Sequence, residues 1–318
     1  MAIAQYTPVP REIQRAVRLA SRPVMLYFSL FEIRISSTQA AMPAHTSRPL
    51  RTIEFAITTD RGVVRTENQD AAGKFPDGPF DPSSPGEQLF VVADGMGGHN
   101  AGREASALAL TTIGEAFLAG TPSADPAAFL RHALETANLR IHDRGLADAS
   151  HRGMGTTCTA LLLAGDRSLI AHVGDSRAYA VRDSAIAQLT EDHTRVGELV
   201  RAGIITSAQA REHPERSFLN RALGARPAVT VDIVEGPPLV EPCTLVLCSD
   251  GLYTHVDDEE IRTAVTAHAP DEAAREVTAL AIRRGGLDNI TVIIVRVSVR
   301  RRERPTPRRK PARRKHGR

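Results

Sequence analysis

Four aspartates in this chain share a setting. Asp70 ends the segment Arg65-Thr-Glu-Asn-Gln-Asp70, and Asp94 follows the apolar run Leu89–Ala93 and precedes Gly-Met-Gly-Gly-His99. Asp250 follows Thr244–Cys248 and precedes Gly251, while Asp288 stands just ahead of the run Ile290–Val297. A carboxylate where an apolar run meets a turn can point into a cleft while the strand fixes its backbone. A neighbouring glycine lets the main chain approach closely, so that a carbonyl can act as a further ligand. Gathered carboxylates repel one another and are costly to bury unless a cation compensates them. Ligand sets made only of oxygen suit hard cations such as Mg²⁺ or Mn²⁺. Singly, each Asp-Gly is an ordinary turn; together they leave two readings open, a metal site or a set of turns. The glycine-rich segment 94–99 lacks the Gly-Lys-Ser/Thr ending of a phosphate-binding P-loop and does not fit G-x-G-x-x-G, which argues against a nucleotide site.

The elements that must position these residues are short apolar strands mixed with two helical blocks. Strands are expected at Glu54–Thr59, Leu89–Ala93, Thr156–Ala164, Ser168–Val173, Arg177–Val181, Thr244–Cys248 and Ile290–Val297. Helices are expected over 101–119, 126–144, 258–267 and 271–284, with Pro126 suited to a first helical turn. Lys74 to Gln88 reads as a Pro/Gly-rich loop, and 195–223 as short helices with polar breaks. The elements arrive in blocks rather than in strict alternation. This favours packed sheets with helices outside over a parallel doubly wound sheet.

Composition narrows the function further. Of 318 residues 42% are apolar, a load normal for a globular core, and aromatics at 4% with no Trp argue against base stacking as the main activity. Charge divides the chain into three. Residues 1–50 carry 6 basic and 2 acidic side chains, 51–299 carry 23 and 34, and 300–318 carry 11 and 1. The sequence pI near 9.0 therefore belongs to the tail and not to the domain. Cys158, Cys243 and Cys248 lack a framework spacing and read as small buried hydrophobes of a reducing compartment. The apolar stretch Met25–Ile35 is interrupted by Glu32 and Arg34 and is shorter than the roughly 20 residues that span a bilayer. It lacks the small-residue cleavage site expected at the usual distance after a secretory apolar run. Residues 1–50 are read as a poorly specified extension, with Met42 as an alternative start, and 300–318 as a basic disordered tail.

Several blocks in order carry a resemblance. TDRGVVRTENQD (59–70), VVADGMGGHNAG (91–102), GMGTTCTALLL (153–163), AHVGDSRAY (171–179), LTEDHT (189–194), NRALG (220–224), LCSDGL (247–252) and DNITVIIV (288–295) resemble the type 2C, or PPM, metal-dependent serine/threonine protein phosphatases, the bacterial branch most closely. The resemblance covers roughly residues 54–298. It implies an α+β fold: a four-layer α-β-β-α sandwich of two antiparallel sheets covered by helices, with the metals at one end between the sheets. It implies a catalytic domain over 51–299 with a flap at about 195–223. By position, Asp94 resembles the ligand that bridges two ions of Mn²⁺ or Mg²⁺. Asp70 and the carbonyl of Gly95 would serve one ion, and Asp250 and Asp288 the other. Arg65 matches the arginine that grips the substrate phosphate, a task suited to a rigid guanidinium fork. Two ions about 3.5–4 Å apart can share a water and lower its pKa toward neutrality. The implied reaction is attack of that water or hydroxide on a phosphoserine or phosphothreonine ester, without a phosphoenzyme.

Three positions depart from the family pattern. Gln69 stands where many members have Glu, so weaker tuning of metal-bound water is expected. Met96 replaces a His proposed as general acid in eukaryotic relatives, which leaves metal-bound water or His99 as proton donor. Ser150 stands where bacterial members often carry an Asp for a third metal. Asp148, two residues earlier, reaches that place only if its loop shifts, which argues against a third ion. Gly155-Thr-Thr157 and Gly174-Asp-Ser-Arg177 read as structural packing turns, and His193 as a hydrogen-bonded loop histidine.

The expected protein is a cytoplasmic, monomeric phosphatase of phosphorylated proteins, acting opposite to Ser/Thr kinases. Its basic tail has the chemistry to contact nucleic acid or an anionic membrane. The rival readings are a catalytically silent phosphoprotein-binding scaffold, a phosphatase of small metabolites, and a chain whose main role lies in its tail.

Overall fold

The computed structural model describes residues 50–80, 86–98, 100–120, 122, 124–182, 185–206, 209–210 and 213–300. The extension before Leu50, His99 and the tail beyond Arg300 lie outside the described residues. Among the described residues eleven strands are present: β1 (Leu50–Asp60), β2 (Asp70–Phe75), β3 (Gln88–Met96), β4 (Gly155–Thr156), β5 (Cys158–Ala164), β6 (Arg167–Val173), β7 (Arg177–Arg182), β8 (Ala185–Gln188), β9 (Asp232–Glu235), β10 (Cys243–Cys248) and β11 (Ile290–Arg300). The helices among them are α1 (Ala101–Ala119), α2 (Pro126–Ala147), α3 (Arg195–Arg201), α4 (Asp250–Tyr253), α5 (Asp258–Ala267) and α6 (Pro270–Arg283), with a 3-10 turn at Ala149–His151.

One sheet has the order β1-β11-β10-β7-β8 and the other β2-β3-β5-β6-β9, with β4 added alongside β3. Every pairing is antiparallel. Antiparallel strands commonly alternate apolar and polar residues because one face meets water. The central strands here are apolar throughout, and the reason is layering. On β3, Leu89, Val91 and Ala93 pack with α1 and α2, while Phe90 and Val92 face the opposite sheet. On β11, Ile290, Val292 and Ile294 pack against α4, α5 and α6, while Ile293, Val295 and Val297 face inward. The side-chain period of two thus sends alternate residues into two different cores, one between the sheets and one under each helical layer. The fold is the α-β-β-α sandwich that the sequence implies.

Helix ends follow local chemistry. Pro126 opens α2 after Asp125, whose carboxylate accepts from Ala128 N at 3.0 Å. α5 begins at a capping box between Asp257 and Glu260. The three cysteines are free and buried, and burial pushes the Cys158 and Cys248 thiols up to about 12.

Some expectations need correction. β1 begins at Leu50, inside the segment assigned to the extension, and β11 runs on to Arg300. β3 does not stop at Asp94 but continues to Met96, because Gly95 and Met96 gain a partner strand in β4. β2 claims Lys74 and Phe75 from the expected loop, and the expected strand 156–164 is broken at Thr157 into β4 and β5.

Candidate metal centre and phosphate site

The two sheets bring the aspartates together at one end of the sandwich. Asp70 and Asp94 are direct cross-strand partners on β2 and β3, so their side chains share a face. Asp94 has the parity of Phe90 and Val92, which is the face turned toward the other sheet. From that other sheet, the turn from β10 into α4 delivers Ser249 and Asp250, and the loop before β11 delivers Asp288 and Asn289. Ser249 Oγ donates to Asp70 Oδ2 at 2.8 Å and accepts from Thr291 N at 3.0 Å, which joins the sheets at the site. Asn289 laces the loops: its side-chain amide donates to the Arg61 and Glu67 carbonyls, and its Oδ1 accepts from Gln69 N at 2.7 Å.

Asp94 is fixed mainly through its backbone. Its N–H donates to Thr157 Oγ1 at 2.9 Å, and its carbonyl accepts from Thr157 N and Thr156 Oγ1, each at 2.9 Å. Gly155-Thr-Thr157 is therefore structural as expected, but the structure it serves is the site. Gly95 has no room for a side chain, since a Cβ there would lie 2.0 Å from the Gly102 carbonyl and 2.6 Å from that of Gln69. Gly251 is constrained in the same way by the Asn289 carbonyl at 2.1 Å.

The electrostatics are those of an under-compensated acidic cluster. Burial raises Asp70 to about 6, against the hydrogen bonds of Thr291 and Ser249. Burial, then the charges of Asp288 and Asp70, raises Asp250 to about 7. Asp94 lies well above the usual range because it is buried, with Asp70 and Asp250 beside it. Asp70 Oδ1 and Asp250 Oδ1 are buried without a hydrogen-bond partner. A buried oxygen left unpaired is expensive, and a cation beside these two would offset that cost. The donor set is all oxygen, which fits Mn²⁺ or Mg²⁺ keeping several waters.

Asp288 is placed differently. Its Oδ2 accepts from Arg65 Nη2 at 2.6 Å. Asp70, Asp94 and Asp250 are neighbours and Asp288 is at their rim, paired with Arg65, but among the described residues no group of three or more His, Cys, Asp or Glu side chains is drawn close enough to hold a metal ion. The guanidinium is half exposed and stands over the cluster, where Asp288 foremost, and Asp250 and Asp94 more weakly, raise its pKa.

Sequence reasoning missed Asp175. It was grouped with a packing turn, yet it is 7% exposed and is raised well above the usual carboxylate range by burial and then by Asp250. Its place in Gly174-Asp175, an Asp-Gly pair reversed in order, gave no signal of its own. Asp175, Asp250 and Asp288 line a cavity of about 460 Å³ that Thr194, Val196, Val200, Arg216 and Ser217 also line. The loop histidine His193 behaves as expected. Its Nδ1 accepts from Gly174 N at 3.0 Å and its Nε2 donates to Asp232 at 2.9 Å. Gln69 is fixed through its backbone, with its carbonyl accepting from Gly95 N and Ser106 Oγ. Asp148 accepts from Ser150 N and Oγ and faces His151, so it caps the 3-10 turn.

The protein phosphatase 2C family model matches residues 64–280, and the chain belongs to that family. Among its relatives, protein phosphatase PhpP of Streptococcus pneumoniae is 35% identical over 247 residues, which is 76% of this chain and 97% of that protein. The solved S. agalactiae serine/threonine phosphatase superposes with a TM-score of 0.70 at 37% identity, covering 76% of this chain and 98% of that one. The catalytic domain of the phosphatase PstP, solved with 2 manganese ions, superposes with a TM-score of 0.67 at 35% identity, covering 78% and 99%.

Proposed function

We propose that this protein hydrolyses phosphoserine and phosphothreonine esters in proteins at a centre of two Mn²⁺ or Mg²⁺ ions, acting opposite to Ser/Thr kinases. The observation that carries this reading is the pair of buried, unpartnered oxygens, Asp70 Oδ1 and Asp250 Oδ1, in a carboxylate cluster beneath Arg65. Asp94 would bridge the ions, with Asp70 and the Gly95 carbonyl on one side and Asp250 and Asp288 on the other. Bound there, the ions supply charge neutralisation and an activated water.

The chain's own residues do the positioning. Ser249 occupies Asp70 Oδ2 and leaves Oδ1 for a cation. Thr156 and Thr157 fix the Asp94 backbone, so the bridging carboxylate starts from a rigid strand. Arg65 exchanges Asp288 for two phosphoryl oxygens and balances the charge that develops on them. With Asp148 and Ser150 bonded to each other, two ions rather than three are proposed.

The catalytic domain is taken as 51–299 with the flap at 195–223. A cytoplasmic monomer is proposed, with the 300–318 tail as a salt-sensitive contact for nucleic acid or anionic lipid. Among the described residues no helix is long and apolar enough to cross a membrane.

The deciding experiment is hydrolysis of p-nitrophenyl phosphate and of phosphothreonine peptides with Mn²⁺, with EDTA, and by Asp94→Asn. Metal-dependent turnover that the variant lacks supports the reading. A folded, Mn²⁺-loaded protein without turnover overturns it in favour of a phosphoprotein-binding scaffold.

A further inference from the structure

Nine large apolar side chains are exposed among the described residues, and they are unevenly spread. Leu118 lies on α1, Leu139 and Leu146 on α2, and Val240 between β9 and β10. Ile204 and Phe218 are in the flap. Val63, Val64 and Leu287, exposed by 63%, 61% and 53%, sit on the two loops that carry Arg65 and Asp288.

These two loops are packed against each other. Val63 N donates to the Gly286 carbonyl at 2.8 Å. A Cβ on Gly62 would meet the Asp288 carbonyl at 2.2 Å, and one on Gly286 would lie 3.0 Å from Val63 Cγ2. Val64 immediately precedes Arg65 and Leu287 immediately precedes Asp288, so these residues share their loops with the Arg65–Asp288 ion pair. Leu287 also lines the cavity that contains Asp250 and Asp288. An apolar face held in place beside a charged site is where a partner covers surface that folding left bare.

We propose that Val63, Val64 and Leu287 form a docking face for an apolar side chain close to the phosphorylated residue of the protein substrate. The inference rests on the phosphatase reading and sharpens it, naming substrates with an apolar residue within a position or two of the phosphoserine or phosphothreonine. The occupant is a segment of the substrate because the face is continuous with the site. An extended peptide advances about 3.4 Å per residue, so a phosphoryl group held at Arg65 brings the neighbouring residues over these loops. Selectivity arises because an apolar neighbour gives up its water on binding, while a polar neighbour must be desolvated against the same surface without a hydrogen-bond partner.

The test is a scan of Leu through the positions on either side of phosphothreonine in an otherwise Gly/Ser peptide, measured as kcat/KM with Mn²⁺. At one or two adjacent positions Leu should raise kcat/KM about tenfold, mainly through KM. Val63→Ser and Leu287→Ser should each shrink that gain, whereas Phe218→Ser should preserve it. A flat scan by enzyme that turns over p-nitrophenyl phosphate overturns the inference and leaves the phosphatase reading intact. A gain that survives both Val63→Ser and Leu287→Ser overturns it too. So does a dimer in sedimentation that Val63→Ser dissociates, because the face would then be covered by a second copy. Absence of turnover on every substrate overturns the phosphatase reading and this inference with it.

Discussion

Two buried polar clusters lie near each other in this molecule and are built on opposite principles. The first is the network of His172, His193 and Asp232 at the root of the flap; the second is the cluster of Asp70, Asp94 and Asp250. In the first, charges and donors are matched. His193 exchanges two hydrogen bonds with Gly174 and donates to Asp232, which Arg221 also holds at 2.7 Å. His172 Nε2 donates to the Glu191 carbonyl at 3.1 Å, and its Nδ1 meets the Thr159 hydroxyl at 2.9 Å. In the second, like charges face each other and two oxygens have no partner. A satisfied buried network rigidifies a fold, while an unsatisfied one of a single sign is tolerated only where a ligand completes it. Burial alone therefore does not separate structure from function; the balance of donors, acceptors and charge does.

The sharpest way to break this comparison is to neutralise one residue of each cluster. Asp250→Asn should cut kcat/KM by about 10³-fold or more, while metal-free protein becomes no less stable, since a repulsive charge is removed. Chemical unfolding alongside kinetics reads both effects; marked destabilisation of the metal-free variant would contradict the assignment. Metal itself should act on the acidic cluster alone. Mn²⁺ at about 100 times its Kd should stabilise the protein by about 2.7 kcal/mol, seen as a rise in Tm, and Asp250→Asn should abolish most of that rise.

His193→Ala should show the converse pattern. Leaving Gly174 N and Asp232 with one partner fewer should cost about 2 kcal/mol, with the Mn²⁺-induced rise in Tm preserved. A variant that unfolds no more easily, or that loses metal binding outright, would remove the contrast between the clusters.

In their pH dependence the two clusters have opposite signs. Burial and His193 hold the His172 imidazole down at about 3, so the folded protein binds fewer protons there than the unfolded chain. That contribution is present above pH about 6.5 and is lost as pH falls below it. Asp70 and Asp250 are raised to about 6 and about 7, so their folded forms bind more protons. Chelator-treated protein should therefore gain about 1–3 kcal/mol from the acidic cluster as pH falls from about 7 toward 4, and lose stability from His172 over the lower part of the same range. Denaturant midpoints across pH would separate the two. Mn²⁺ should remove the first slope, and His172→Gln should reduce the second.

Much of the fold was legible because its local signals agree. The helices expected at 101–119 and 258–267 are found with those bounds, and that from 126 runs three residues further, to Ala147. Most of the strands found, β3, β5, β6, β10 and β11, have both faces largely buried, which leaves an unbroken apolar run, while β1 was read from its weaker alternation. Those missed lack such a run. β2 reads Asp-Ala-Ala-Gly-Lys-Phe, and β8 and β9 are four residues each at the outer edges of the sheets. In the candidate site, Asp94 and Asp250 announce themselves by abutting apolar runs. Asp175 did not, because what distinguishes it is its neighbour Asp250, 75 positions away in the chain.

The sequence by itself therefore determined the helices and the central apolar strands, that sheets pack on each other with helices outside, and that aspartates end up where apolar runs meet turns. These are consequences of side-chain period and backbone freedom, which act within a few residues. Only the tertiary structure decided which oxygens are spoken for. Ser249 takes one oxygen of Asp70, Arg65 takes Asp288, and two carboxylate oxygens are left without partners in a low-dielectric cleft. Whether a carboxylate is satisfied depends on groups delivered from the opposite sheet. That pairing is fixed only when two sheets, remote in sequence, close over a common core.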